Sequence, residues 1–104
     1  MSANYVEIQE LLQKKADFQA RLKLISYDGT PEIKEQGGAK YLYIRKRVAG
    51  KLTSTYVDVY SDGLYQLLLR NAKEARELKK AIRKIDKELV KRGYEDKELP
   101  RMLN

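Results

Sequence analysis

The sequence predicts an α+β fold: a single domain over residues 1–104, of order α-β-β-β-α, with a three-stranded antiparallel sheet packed on a long helical hairpin. Three observations predict it. Both ends of the chain carry apolar residues at helical spacing, almost without Gly or Pro. The middle third is rich in β-branched and aromatic residues. Two Gly-containing turns divide that middle third into three strands.

The first helix is predicted over about residues 3–25, a segment that contains no Gly or Pro. Its apolar stripe follows alternating spacings of three and four: Ile8, Leu11, Lys15, Phe18, Leu22 and Ile25. Lys15 interrupts the stripe. Either its ammonium extends to solvent from the edge of the packed face, or that face shifts toward Leu12 and Ala16. Pro31 lies beyond the helix because Pro cannot continue it.

The three-stranded sheet is predicted over about residues 30–60. Gly37-Gly38 and Ala49-Gly50 are placed as two-residue turns between antiparallel strands. Ala is poorly suited to the positive φ that such a turn requires, so a wider second turn is the alternative.

These turns determine which residues lie opposite each other. The first turn places Ile33 opposite Leu42, and the second places Val57 opposite the same Leu42. The second turn also places Tyr56 opposite Tyr43. The two registers agree, so one face is apolar and the other polar. The predicted apolar face contains Ile33, Leu42, Ile44, Val48, Val57 and Val59. The predicted polar face contains Glu32, Lys34, Tyr41, Tyr43, Arg45, Arg47, Ser54, Tyr56 and Asp58.

A second, coiled-coil-like helix is predicted over about residues 62–92, after a capping pair at Ser61-Asp62, with a polar tail over residues 93–104. Its seam has the spacing of coiled coils: Leu64, Leu68, Asn71, Ala75, Leu78, Ile82, Ile85 and Leu89. A helix of about 46 Å is longer than a three-stranded sheet can cover. We therefore expect its C-terminal half to pack on the first helix. A homodimer through this seam, with Asn71 setting the register, is a further possibility.

The composition excludes several classes of catalytic site. The chain contains no His and no Cys, so it has neither a Cys/His zinc site nor a Ser-His-Asp or Cys-His nucleophile. Asp28, Asp58 and Asp62 lie beside turns or strands, and no two carboxylates have the spacing of an acid/base pair. We expect no enzymatic activity, no catalytic residue, no cofactor and no metal. Without a long apolar stretch or a signal sequence, we expect a cytoplasmic protein that does not bind membranes.

The net charge of +7 is unevenly distributed. Residues 1–35 have a net charge of −1, whereas residues 36–60 and 61–104 each have +4. On the second helix, basic residues at spacings of three and four form a stripe opposite the apolar seam: Lys73, Arg76, Lys80, Arg83, Lys87 and Lys91. Such a stripe is typical of a solvated helix face. The alternative is a row of contacts to nucleic-acid phosphates.

The polar face of the sheet is the more specific signal. The candidate binding residues are Tyr41, Tyr43, Arg45, Arg47, Lys51, Ser54 and Tyr56. Aromatic residues beside Arg suit base stacking combined with phosphate contact. Tyr and Arg are also enriched in protein interfaces. Cross-strand Tyr pairs that only stabilise the sheet are the third interpretation.

The segment from Tyr41 to about Lys79 resembles the arm-type DNA-binding domains of tyrosine integrases, which have a three-stranded sheet, a basic turn like Val48-Ala49-Gly50-Lys51, and a helix on one face. It also resembles small uncharacterised bacterial and mobile-element domains. The integrase resemblance implies that the exposed sheet face enters the major groove of DNA. The residues it implicates are Tyr41, Tyr43, Arg45, Arg47, Ser54 and Tyr56.

Together, these features predict a small basic non-enzymatic module that binds nucleic acid through the sheet face, and the integrase resemblance implies DNA. The alternative is a protein-binding inhibitor or adaptor that acts on a nucleic-acid-processing complex. A phage counter-defence protein or an antitoxin-like partner would be of this kind.

Overall fold

A computed structural model of the protein describes residues 3–25 and 27–94. The elements are, in chain order, α1 (Ala3–Leu24), β1 (Thr30–Gln36), β2 (Ala39–Val48), β3 (Lys51–Val59) and α2 (Asp62–Lys91). The predicted α+β class and the α-β-β-β-α order are confirmed. Most of the predicted polar tail, residues 95–104, lies outside the described residues. No helix in the described part of the chain has an apolar stretch long enough to cross a membrane.

The chain forms two compact units, and α2 contributes to both. The sheet unit, residues 23–77, contains the three strands and the N-terminal half of α2. Within the described residues, the helical unit comprises residues 3–22 and 78–94, with most of α1 and the C-terminal half of α2.

The core of the sheet unit lies between β2 and α2. The sheet is antiparallel with strand order β1-β2-β3. Leu42 and Ile44 of β2 and Leu68 of α2 are buried together, and four partly buried side chains pack around them: Val57, Tyr60, Leu64 and Tyr65. Because side chains alternate along β2, α2 covers the Leu42 side of the strand, and Tyr41 and Tyr43 belong to the opposite side.

Between β2 and β3, the predicted register holds from the second turn as far as Tyr43 and fails further along β3. Ile33 lies opposite Leu42, and Tyr56 lies opposite Tyr43, as predicted. The predicted pairing of Leu42 with Val57 is wrong, because a β-bulge between Leu42 and Tyr43 places Asp58 opposite Leu42. Val57 is the additional residue of this bulge, and it packs on the core.

The bulge also changes the position of Val59. The N–H of Val59 donates a hydrogen bond of 2.7 Å to the Oδ1 of Asp58. On the neighbouring strand β2, Val59 lies opposite Tyr41. Val59 is 54% exposed, so its predicted place on the buried face is wrong. Ile33 and Val48 were also predicted on that face, but they are 41% and 51% exposed because the core reaches only the middle of the sheet.

The second turn has two residues despite the presence of Ala. Ala49 has φ 50° and Gly50 has φ 80°, so the wider turn is not adopted. The Nη1 of Arg47 donates a hydrogen bond of 3.1 Å to the carbonyl oxygen of Gly50. Left-handed backbone costs an L-residue about 1–2 kcal/mol, so the turn is strained at Ala49.

Both ends of α2 are capped, the first at the predicted pair Ser61-Asp62. At its start, the N–H of Leu64 donates to the Oγ of Ser61 over 3.2 Å, which identifies Ser61 as the N-cap. At its end, Gly93 has φ 83° and the N–H of Tyr94 donates to the carbonyl of Leu89 over 2.9 Å. This is the Schellman arrangement, which satisfies carbonyl groups of the last helical turn.

In the helical unit, α1 and α2 run antiparallel. Near the start of α1, Glu7 forms an ion pair with Arg92, just beyond the end of α2. Further along α1, the Nζ of Lys15 lies 2.6 Å from the Oδ1 of Asp86.

The predicted stripe of α1 is half-buried throughout: Ile8, Leu11, Lys15, Phe18, Leu22 and Ile25. The predicted seam of α2 is buried or half-buried throughout: Leu64, Leu68, Asn71, Ala75, Leu78, Ile82, Ile85 and Leu89.

Candidate nucleic-acid interface

The sheet face opposite the core is the candidate interface. Residues directly opposite each other on antiparallel strands share a face, so the observed register defines its members. We call the part of this surface around the tyrosines and towards the hairpin tip the tyrosine face; it consists of Glu32, Lys34, Tyr41, Tyr43, Arg45, Arg47, Leu52, Ser54 and Tyr56, and Val59, opposite Tyr41, lies at its margin. Six of the seven predicted site residues lie on it.

Three tyrosines form a contiguous cluster on this face. Tyr56 contacts both of the others: its ring centroid lies 5.5 Å from that of Tyr43, at an interplanar angle of 71°, and 6.3 Å from that of Tyr41. The near-perpendicular arrangement with Tyr43 is an edge-to-face contact. Tyr56 is 49% exposed, so part of the cluster is accessible to a ligand.

The surroundings of Tyr56 disfavour the loss of its phenol proton. Burial against neighbouring side chains raises the pKa of Tyr56 above its ordinary value of 10.0, and the negative charge of Asp58 raises it further. The protonated hydroxyl is a hydrogen-bond donor as well as an acceptor.

Lys34 extends across the middle of the tyrosine face. It starts on β1, and its Nζ lies 4.3 Å from the centroid of the Tyr43 ring on β2. The same Nζ donates a hydrogen bond of 3.2 Å to the Oγ of Ser54 on β3. Cation–π attraction and this hydrogen bond hold the ammonium over the aromatic cluster, so one side chain links all three strands.

Glu32 is the acidic residue of the tyrosine face, and it lies between two cations. Its Oε1 is 3.7 Å from the Nζ of Lys34, and its Oε2 is 3.7 Å from the Nη1 of Arg45. All three side chains are partly exposed to solvent. The centre of the face is therefore a mixed set of hydrogen-bond donors and acceptors beside tyrosine rings.

Of the two predicted site residues near the hairpin tip, Arg47 lies on the tyrosine face and Lys51 does not. Arg47 is exposed and contacts the turn carbonyl, as described above. Lys51 is exposed but lies opposite Val48, and this register places it on the other face of the sheet. Leu52 lies opposite Arg47 and is 59% exposed.

Sequence reasoning did not include Glu32, Lys34 or Leu52 among the candidate site residues. The signal was present for Leu52, since it alternates with Ser54 and Tyr56 along the strand. Glu32 and Lys34 are predicted on this face but not in the site. The alternation of residues along a strand predicts the face of a side chain, but not its contacts with the neighbouring strands.

The basic stripe of α2 is exposed at all six predicted positions: Lys73, Arg76, Lys80, Arg83, Lys87 and Lys91. The first two belong to the sheet unit and the other four to the helical unit. The stripe offers charge alone, whereas the tyrosine face combines charge with aromatic rings and hydrogen-bonding groups. As for metals, no three carboxylates in the described ranges come together closely enough to hold an ion.

Comparison with known proteins identifies the family of this chain. The family model described as a domain of unknown function, DUF6788, matches residues 5–66. This segment contains most of α1, all three strands and the first turn of α2. It therefore includes the whole tyrosine face and none of the basic stripe. No curated protein and no solved structure matches the chain. Because the matched segment is more than half of the 104 residues, the protein belongs to the DUF6788 family.

Proposed function

We propose that the protein is a small, basic, non-enzymatic nucleic-acid-binding module of the cytoplasm that uses the tyrosine face. The observation that carries this proposal is the exposed Tyr56 cluster with Lys34, Arg45 and Arg47 on the same face. The cations attract phosphates, and the tyrosines and hydrogen-bonding groups contact bases.

The extent of the family match favours the tyrosine face over the stripe on α2. The matched residues 5–66 carry the sheet, whereas the stripe begins at Lys73. Exposed Lys and Arg at helical spacing are also common on helices that bind nothing, since both residues favour the helix and solubility. The stripe therefore supports the proposal less strongly.

Binding is tested by fluorescence anisotropy with labelled duplex and single-stranded oligonucleotides over a salt series. If three cations each engage a phosphate, log K should fall with log salt with a slope of about −2 to −3. No binding of either oligonucleotide at about 50 mM salt would contradict the proposal.

Charge removal on the face tests where binding occurs. We expect Arg45→Ala with Arg47→Ala to weaken binding by about tenfold and to reduce the salt slope by about two. Because both side chains are exposed, the melting temperature should change little. Lys80→Ala with Arg83→Ala removes the same charge from the stripe and is the matched control. An equal loss in both double variants would indicate binding by net charge rather than by this face.

A protein-binding inhibitor or adaptor of a nucleic-acid-processing complex is the second candidate function. The observation that favours it is the exposure of Leu52 and Tyr56 on one face, at 59% and 49%. Apolar and aromatic side chains of this kind are typical of protein interfaces. A photocrosslinking amino acid at position 52 distinguishes the two functions in cells. A nucleic-acid ligand gives an adduct that nuclease removes, and a protein partner gives one that nuclease leaves intact.

A further inference from the structure

Glu32 is a negative charge on the face that is proposed to bind a polyanion. We propose that Glu32 is a specificity-determining residue: it disfavours ligands that offer only phosphate and favours ligands that also offer hydrogen-bond donors, as the amino groups of bases do. This inference rests on the proposed nucleic-acid function and specifies what the tyrosine face selects.

The position of Glu32 is set by the sheet. It lies on β1 directly opposite Tyr43, in a regular part of the ladder. Its two carboxylate oxygens are each 3.7 Å from a cation, Lys34 on one side and Arg45 on the other. The side chain of Glu32 is 31% exposed, so a ligand on this face reaches it.

The carboxylate of Glu32 repels phosphates but can accept hydrogen bonds from bases. A phosphate that approaches Lys34 or Arg45 must displace the carboxylate and is repelled by it. A base amino group, such as N4 of cytosine or N6 of adenine, instead donates a hydrogen bond to the carboxylate. The contacts of Lys34 with Tyr43 and Ser54 do not involve Glu32, so they do not depend on where its carboxylate points. The cation therefore stays in place for a neighbouring phosphate.

Glu35 provides a matched control on the same strand. It lies three residues further along β1, on the other face of the sheet, where its carboxylate is 3.9 Å from the Nζ of Lys40. Glu35→Gln and Glu32→Gln change the net charge equally and preserve the side-chain shape. Only Glu32→Gln removes the carboxylate from the tyrosine face.

The experiment compares two probes at one salt concentration: inorganic polyphosphate, which carries no bases, and a mixed-sequence oligonucleotide. Wild type should prefer the oligonucleotide. We expect Glu32→Gln to bind polyphosphate about 3- to 10-fold more tightly and the oligonucleotide with a smaller gain, so that the preference falls. Glu35→Gln should change both affinities by less than about 2-fold, since its carboxylate is highly exposed, lies on the other face of the sheet and is paired with Lys40. Arg45→Gln should lower the polyphosphate affinity.

The outcomes separate the inference from the proposed function. If wild type binds the oligonucleotide and Glu32→Gln behaves like Glu35→Gln, the specificity role of Glu32 is overturned while the proposed function stands. The same holds if Glu32→Gln strengthens binding of both probes equally, because Glu32 then contributes only general repulsion. If wild type binds neither probe, both proposals fail.

Discussion

Lys15 and Asp86 form an ion pair, 2.6 Å between Nζ and Oδ1, that joins the two helices of the helical unit. The side chain of Lys15 is only 14% exposed, whereas that of Asp86 is 45% exposed. The aliphatic part of Lys15 packs within the half-buried stripe of α1, and its ammonium reaches a carboxylate at the edge. This pair explains a charged residue in an otherwise apolar stripe.

A double-mutant cycle with Lys15→Met and Asp86→Asn measures this pair. We expect each single variant to lose stability and the double variant to lose about 0.5–1 kcal/mol less than the sum, because the pair is only partly buried. Urea denaturation gives the four free energies of unfolding. Additive losses would show that the ion pair contributes nothing to stability.

Gly29 should not tolerate a side chain. A Cβ at this position would lie 2.6 Å from the Cγ2 of Ile44 and 2.8 Å from the carbonyl oxygen of Arg45. We expect Gly29→Ala to cost about 1–3 kcal/mol of unfolding free energy, because the backbone oxygen cannot move aside cheaply. Gly63→Ala is the control, since no atom lies within 4 Å of its Cβ position. It should gain about 0.5–1 kcal/mol in a thermal or urea melt.

The strain at Ala49 should be removable. With φ 50°, this residue occupies the left-handed region that Asn and Gly adopt more readily than Ala. We expect Ala49→Asn to raise the free energy of unfolding by about 0.5–1 kcal/mol, and Ala49→Val to lower it because a β-branched residue fits this region worst. Urea denaturation of the two variants checks this prediction. A stabilising effect of Val would contradict it.

Alkaline pH should weaken the start of α2. The hydroxyl of Tyr60 donates a hydrogen bond of 2.5 Å to the carboxylate of Asp62. This hydrogen bond, together with burial and the charge of Asp62, raises the pKa of Tyr60 above 10.0. Since the folded state holds the proton more tightly, the stabilisation is fully present below about pH 10 and is lost as pH rises through the raised pKa.

Unfolding free energies measured between about pH 8 and pH 12 test this effect. Wild type should lose more stability than Tyr60→Phe across the alkaline range, and Asp62→Asn should reduce the loss as well. Some loss should persist in Tyr60→Phe because the pKa of Tyr56 is also raised. Identical curves for wild type and Tyr60→Phe would contradict the prediction.

Two adjacent leucines of α2 should differ strongly in their contribution to stability. Leu68 is 1% exposed and packs on Leu42 and Ile44, whereas Leu67 is 44% exposed. We expect Leu68→Ala to cost about 2–5 kcal/mol, because it leaves a cavity in the core, and Leu67→Ala to cost less than about 1 kcal/mol. Chemical denaturation of the pair tests which face of the helix supports the sheet.

Most of the fold could be predicted because turns and periodicity act locally. Two-residue turns pair their flanking residues, which was enough to place Tyr56 opposite Tyr43. The register beyond Val57 could not be predicted, since Val57 and Val59 fit an unbroken alternation as well as a bulge. The Asp58 carboxylate accepts the N–H of Val59, and such local hydrogen bonds compete with regular strand pairing.

The candidate site was predictable as a face but not as a set of contacts. Alternation placed the tyrosines and Arg45 together, as the register now shows. The path of Lys34 over Tyr43 to Ser54 depends on side-chain rotamers and on the distance across three strands. Lys51 was placed in the site by its proximity to the turn, and only the pairing with Val48 locates it on the other face.

The bulge at Val57 determines where a reporter group belongs on β3. Under regular alternation, labels at positions 57 and 59 would point the same way. In this sheet, a label at 57 would displace a residue of the core, whereas one at 59 would lie in solvent beside Tyr41. A fluorophore or spin label at position 59 therefore monitors the tyrosine face from beside Tyr41 without disturbing the core.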